Sequence, residues 1–281
     1  MQSEIVRYAV LGSGSEGNAY IIENNKAALL IDNGYCLREL LERVNKAGFE
    51  AAKLKYIFLT HDHGDHSGGV VELAQHLGLT VIMHRKATIK AAAGGLSYCH
   101  RWSIDDGKHY SDEETELSFI PFATSHDSPN SVGYFIEVSG CRFLLVTDTG
   151  KLTPPMYDYA ESAGVIFLES NYSPVMLEKG RYPAFLKARI AGARGHLSNY
   201  DAAGFVARLT NSRQKRIFLC HLSQNNNSVE QLTEEFASVY PLTPNITVCP
   251  RNQLMAGEVF KTGAENSWQM AVTTAKQLHS A

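Results

Sequence analysis

The chain has 281 residues, 44% of them hydrophobic and 20% charged, enough for one large α/β unit with a sizeable core. A net charge of −3 gives no whole-molecule attraction to nucleic acid, so a polyanionic substrate would have to meet a local basic surface or bound metal. Five cysteines without a CxxC pair, no basic-then-apolar leader in MQSEIVRYAV, and no run near the ~20 apolar residues of a membrane span together predict a cytoplasmic protein without membrane contact.

Residues 5–11 read as a strand that runs into the loop GSGSEGNA, Gly12 to Ala19. Residues 19–23 and 26–32 form a hairpin around Asn24-Asn25. Its second strand, KAALLID, closes on Asp32, which either buttresses nearby metal ligands or caps the following helix. The spacing of Leu37, Leu40, Leu41 and Val44 predicts a helix over 35–47, stopped at Gly48. The stretch 54–69, LKYIFLTHDHGDHSGG, then organises the chain. An apolar strand leads into His61, Asp62, His63, Asp65 and His66. Alternation along an extended backbone puts His61 and His63 on one side, and a sharp turn at Gly64 brings Asp65 and His66 to the same point. Imidazole nitrogen and carboxylate oxygen are donors that a borderline cation such as Zn²⁺ takes. The alternative is a polar loop of solvated histidines.

A helix over 70–77 and a strand over 80–84 follow, and 85–114 is polar with weak signals; His84, His100 and His109 read as non-ligands. A strand over 115–122 leads to His126 in FATSHDS, and a hairpin of 132–138 and 141–147 about Ser139-Gly140 delivers Asp148 in FLLVTDTG. A helix near 154–162 and the strand VIFLES, 165–170, come next. Segment 171–203 breaks the strand–helix alternation, carries six basic residues with His196 counted, and ends in GHLSN before a helix N-capped by Ser198. Strand 216–220 presents His221, followed by a helix over about 228–239 and strands near 245–249 and 254–260. A lone histidine after a strand is usually structural; His126, Asp148 and His221 following the first cluster reverse that expectation. No repeat or low-complexity linker interrupts 1–281, which predicts a single domain with its core at about 5–260 and a polar tail, 261–281, that frays.

The HxHxDH cluster is the signature of the metallo-β-lactamase superfamily. Together with GSGSEGNA, SHD, VTDTG, ESNY, GHLSN and HLSQNNN, it makes the chain from about 8 to 260 resemble the YycJ (WalJ)-like metallo-β-lactamase-fold nucleases of bacteria. The resemblance implies an α/β four-layer αββα sandwich with the site at the sheet edges. It also implies metal-dependent hydrolysis of DNA phosphodiester bonds as a 5′→3′ exonuclease, by a hydroxide activated between two metals, with RNA a further candidate substrate. Carried over residue by residue, one ion takes His61, His63 and His126, the other takes Asp65, His66 and His221, and Asp148 bridges them. Seven donors are too many for one tetrahedral ion and about right for two divalent ions, zinc or manganese.

Asp65, Asp148 and His196 are assigned to catalysis. GHLSN also resembles the phosphate-contacting histidine motif of β-CASP ribonucleases, although their large inserted domain is absent. His196 is therefore either a phosphate or leaving-group residue or a structural one capping a helix. Ser13, Gly14 and Asn18 of the glycine-rich loop, with Ser198, are candidates for the substrate phosphate, the alternative for the loop being a plain tight turn. Lys187, Arg189 and Arg194 either track a nucleic-acid backbone or form a solvated face. Where relatives often carry Asn-His, this chain has Asn171-Tyr172. Two other functions compete: a small-molecule hydrolase for a thioester, lactone or β-lactam, and a metal-free nucleic-acid-binding scaffold. The 171–203 segment favours the nuclease over the first, and the complete donor set opposes the second. A di-iron oxidoreductase would need a flavin-binding partner domain that the chain lacks.

Overall fold

The structure, a computed structural model, describes residues 5–87, 95, 99–262 and 267–270. The first half runs β1 (Ile5–Gly12), β2 (Ala19–Glu23), β3 (Ala28–Ile31), α1 (Leu37–Lys46), β4 (Leu54–Phe58), α2 (Gly64–Ser67), α3 (Val70–Leu77), β5 (Thr80–His84), β6 (His100–Ile104) and β7 (Tyr110–Asp112). The second runs β8 (Leu117–Ala123), β9 (Val132–Val138), β10 (Cys141–Val146), α4 (Pro154–Ser162), β11 (Val165–Glu169), α5 (Pro174–Lys179), α6 (Ala184–Ile190), α7 (Asn199–Ala207), β12 (Arg216–Cys220), α8 (Val229–Val239), β13 (Ile246–Val248), β14 (Met255–Thr262) and β15 (Ser267–Met270).

Two sheets form, ordered β15-β14-β1-β2-β3-β4-β5-β6 and β13-β12-β11-β10-β9-β8-β7. Each switches from antiparallel to parallel pairing at one strand, β3 in the first and β10 in the second. Parallel neighbours need long crossovers, and the helices supply them on the outer faces. The sequence sets the layers by period-two alternation. In β1, Val6, Tyr8 and Val10 face the opposite sheet while Ala9 and Leu11 face α1 and α3. In β10, Phe143 and Leu145 point inward, whereas Leu144 and Val146 pack under α4, α7 and α8. Strands buried on both sides read as unbroken apolar runs. Aromatic edges lock the sheets together, with Phe58 and Phe119 rings 4.8 Å apart and Tyr8 and Phe143 rings 5.6 Å apart, both T-shaped. The result is the expected αββα sandwich.

Three strands depart from the sequence reading. β6 and β7 fall in the 85–114 stretch of weak signals, and both are largely polar and partly exposed edge elements. β15 pairs antiparallel with β14 inside the tail expected to fray, so that expectation is corrected for 267–270. Positions 88–94, 96–98, 263–266 and 271–281, on which parts of those readings fall, lie outside the described residues. No helix among the described residues is long and apolar enough to cross a membrane.

The two sheets are tied by Asp112 of the edge strand β7, which accepts from Tyr56 Oη of β4, from Thr115 Oγ1 at 2.8 Å and from the Glu114 N–H at 3.1 Å. Partial burial alone would raise this carboxyl; the hydrogen bonds and Lys55 outweigh it and bring the pKa down to about 2. The folded value lies below the unfolded ~3.9, so the stabilisation is present above pH ~4 and lost as pH falls through about 2. Asp112→Asn should cost about 1–2 kcal/mol at pH 7. The melting-temperature gap to the parent should narrow in acid, and a gap that widens there would contradict this.

Candidate metal centre

The parallel strands of both sheets end at the same rim, where α/β sheets place ligands. Asp32 follows β3, the HxHxDH loop follows β4, Asp148 follows β10, Glu169 ends β11 and His221 follows β12. Three of these residues take left-handed backbone, with φ of 57° at Asp32, 52° at Asp148 and 60° at His221. Asp and His tolerate that region better than most side chains, and it kinks each strand end so that the side chain turns into the gap between the sheets. The loop after β4 turns differently from the expectation. Gly64 has no left-handed φ among the described residues, and a Cβ there would meet nothing within 4 Å; it opens the one-turn helix α2, which itself swings Asp65 and His66 inward. The close approach is at Gly34, where a Cβ would lie 2.1 Å from the Asp65 carbonyl.

The seven expected donors converge. His63 Nδ1 lies 3.1 Å from His61 Nε2 and 3.2 Å from His126 Nε2. Asp65 Oδ2 lies 3.5 Å from His66 Nε2 and 3.6 Å from His221 Nε2. Asp148 stands between the two groups: Oδ2 is 3.1 Å from His66 Nε2 and 3.7 Å from His221 Nε2, while Oδ1 is 3.5 Å from His126 Nε2. His221 Nε2 is buried without any hydrogen-bond partner, an arrangement that a cation relieves. The donor set and this orphaned nitrogen fit a divalent metal. His84, His100 and His109 stand in none of the metal-capable groups among the described residues.

Each ring is held from behind. His61 Nδ1 lies 2.9 Å from Thr60 Oγ1, His126 Nδ1 lies 3.1 Å from the Gly195 carbonyl, and His66 Nδ1 lies 2.7 Å from Asp32 Oδ2. Asp32 also accepts from the Thr60 N–H and Oγ1, both at 2.8 Å, and the residue at the N-cap of α1 is Cys36. Asp32 thus hydrogen-bonds the donor loop and does not cap α1. Asp32→Asn should weaken metal affinity ~10–100-fold with the fold retained, measured by competition with a chromogenic chelator; unchanged affinity would refute the buttress.

Electrostatics prepares the same atoms. Burial, then the neighbouring His66, holds His61 well below the ordinary imidazole range. Burial opposes charge on His66 and His221 too, but Asp148 and the other carboxylates prevail, raising His66 well above its usual value and His221 to about 10. Asp148 is driven well below the carboxylate range by His221 and His66 despite its burial. Protons therefore occupy nitrogens a metal would take, and the two compete.

Glu169 was not singled out in the sequence reading, yet it is fully buried at the centre. It accepts from the Thr149 N–H at 2.9 Å and faces His196 Nδ1 at 2.7 Å and His221 Nδ1 at 3.2 Å. The available signal was a carboxylate closing the apolar strand VIFLES, the same pattern as Asp32 closing KAALLID. Burial alone would neutralise Glu169, but His196 and His221 keep its pKa low; in turn His196 is raised by Glu169 against its own burial. Asn171 Nδ2 donates to the His221 carbonyl at 2.9 Å and lies 3.1 Å from its Nδ1, while the departing residue of the pair, Tyr172, is buried.

The residues expected at the phosphate have partners within the protein. Ser13 is 1% exposed and accepts the His221 N–H at 2.7 Å. Asn18 is fully buried: its Oδ1 accepts the Gly14 N–H at 2.9 Å, and its Nδ2 lies 3.0 Å from His66 Nε2. Ser198 caps α7, donating to Asp201 Oδ2 at 2.6 Å and accepting the Asp201 N–H at 3.1 Å. Ser13, Gly14, Asn18 and Ser198 therefore brace the rim. Because Ser198 does the capping, His196 is free of that task. Arg194 donates to the His126 carbonyl at 3.0 Å, Arg189 pairs with Asp127, and Lys187 donates to the Glu178 carbonyl.

The model of the metallo-β-lactamase superfamily matches residues 12–221, which span every one of these donors. The chain belongs to the metallo-β-lactamase superfamily. Within it, the chain sits in the YycJ/WalJ-like subgroup. It is 32% identical over 231 residues to the exodeoxyribonuclease WalJ of Streptococcus pneumoniae, covering 80% of this chain and 84% of that one. It is 32% identical over 246 residues to the exodeoxyribonuclease YycJ of Bacillus anthracis, covering 82% and 90%. Among solved structures, the metallo-β-lactamase-fold protein YhfI of Bacillus subtilis superposes with a TM-score of 0.66 at 16% identity, over 90% of this chain and all of that one, which speaks for the fold. As a superfamily member with this clustered His and Asp set, the protein is a metal-dependent hydrolase.

Proposed function

We propose that the protein is a 5′→3′ DNA exonuclease that binds two divalent ions per chain, zinc or manganese, and acts in the cytoplasm. The observation that carries this reading is His196, a histidine beyond the donor set, held by Glu169 beside Asp148 at the centre's open side. His61, His63 and His126 would hold one ion and Asp65, His66 and His221 the other, with Asp148 standing between the two groups. Bound there, the ions supply Lewis-acid polarisation of a phosphoryl oxygen and activation of water at neutral pH. The protein's own groups do the rest. Glu169 engages His196 Nδ1 at 2.7 Å, so the ring's Nε2 is the nitrogen left for the substrate. The His196 side chain is 21% exposed, whereas Asp148 behind it is 3% exposed, so the ring stands between buried donors and solvent. As imidazolium, whose charge Glu169 favours, His196 hydrogen-bonds the scissile phosphate and protonates the leaving 3′-oxygen. Asp65 and Asp148 keep negative charge on the metal side of the reacting group. The identity to exodeoxyribonucleases over four fifths of the chain supports DNA as the substrate. Five free cysteines suit a reducing compartment.

The test is direct. Metal-loaded protein is incubated with end-labelled linear DNA, with closed circular DNA, and separately with a thioester and a chromogenic β-lactam. Release of nucleotides from the 5′ end of linear DNA, with circles intact, is the expected result. Rapid turnover of the small esters with all DNA intact would replace the proposal with the small-molecule hydrolase.

A further inference from the structure

Phe185, in α6, is 75% exposed, more than any other large hydrophobic side chain among the described residues, and it joins none of the three apolar clusters. It shares a helix face with Arg189 four positions on, at roughly 5–6 Å between Cβ atoms. Arg189 reaches the metal centre: its Nη2 lies 2.5 Å from Asp127 Oδ2, and Asp127 Oδ1 lies 3.5 Å from both His63 Nε2 and His126 Nε2. The helix is fixed there, because the His196 N–H donates to the Ile190 carbonyl at 2.9 Å and a Cβ on Gly195 would lie 2.1 Å from that oxygen. Phe185 thus stands one turn outward from the rim on a rigid element. Residues 171–195 carry five lysines and arginines (Lys179, Arg181, Lys187, Arg189, Arg194) against one carboxylate, Glu178, in a chain of net charge −3. An exposed ring on a segment rich in cations, beside the proposed phosphodiester-cleaving centre, matches how proteins hold single strands without sequence preference.

We infer that α6 is a docking platform for single-stranded nucleic acid, on which Phe185 stacks against a base of the strand whose terminal phosphodiester lies at the metal centre. This rests on the nuclease reading and deepens it. A paired base hides its faces in the duplex stack, so the platform selects an unpaired end.

The test compares, by fluorescence anisotropy on metal-loaded protein, short phosphorothioate-linked single strands with strands of equal length whose bases are replaced by abasic sugars. The parent should prefer the base-bearing strand ~5–150-fold, Phe185→Ala should lose most of that preference, and Phe185→Trp should keep it. So exposed a ring leaves no cavity when removed, so Phe185→Ala folds as the parent does. An unchanged preference in Phe185→Ala, or none in a parent that cuts DNA, would overturn the platform and leave the nuclease reading standing. A parent that cuts no DNA would overturn the nuclease reading, and the platform with it.

Discussion

Asp148→Ala will purify with little bound metal and cleave DNA slower by ~10⁴-fold or more. The residue lies within 3.1–3.7 Å of His66, His126 and His221 nitrogens, so its loss removes a donor from both groups and the negative charge between them. Alanine at φ 52° also adds backbone strain, so Asp148→Asn is the cleaner variant: it keeps the shape and accepts left-handed backbone while losing the charge. His221→Ala offers the contrast, since it should deplete one ion and spare the other. Elemental analysis and end-labelled cleavage on the same sample check both. An Asp148→Asn protein with the parent's metal content and rate would remove Asp148 from the centre.

His196→Ala should behave the other way, with metal content held near the parent's and the fold retained while DNA cleavage falls by ~10²-fold or more. The geometry separates the effects: His196 presents Nδ1 to Glu169 and is not needed to complete either donor group. Glu169→Gln should not separate them. Its Oε1 also lies 3.2 Å from His221 Nδ1 and its Oε2 accepts the Thr149 N–H, so losing the charge and turning an NH2 towards one of these partners disturbs a metal ligand and the proton donor together. Parent-like cleavage by His196→Ala, or loss of metal along with the ring, would end the leaving-group role.

The legible parts of the sequence were those whose physics is local. Five donor residues within six positions at the end of an apolar strand need no partner to be recognised. Strands such as β10 and β11, buried on both faces, show as continuous apolar runs. β6 escaped because an edge strand with mostly exposed side chains has no apolar period to display. The partners of the Gly12–Asn18 loop were not legible for another reason. Its glycines suggest an accessible backbone, but Ser13 is committed to the His221 backbone across the two sheets and Asn18 to the Asp65–His66 turn of its own sheet, pairings between residues far apart in sequence. Glu169 was hidden in the same way: a carboxylate at a strand end becomes meaningful only once His196 and His221 are seen on either side of it.

The division of donors between the sheets has a kinetic consequence. His61, His63, Asp65 and His66 hang from the end of β4 in one sheet; His126, Asp148 and His221 hang from β8, β10 and β12 in the other. Neither half alone completes a site, so a cation gains its full set of bonds only after the two have docked. Its binding energy then belongs to a late contact, absent from the barrier to folding, and acts as a clasp on the way out. Loaded protein should therefore fold no faster than stripped protein but open far more slowly, so that its survival against proteolysis in dilute chelator follows how quickly the metal leaves.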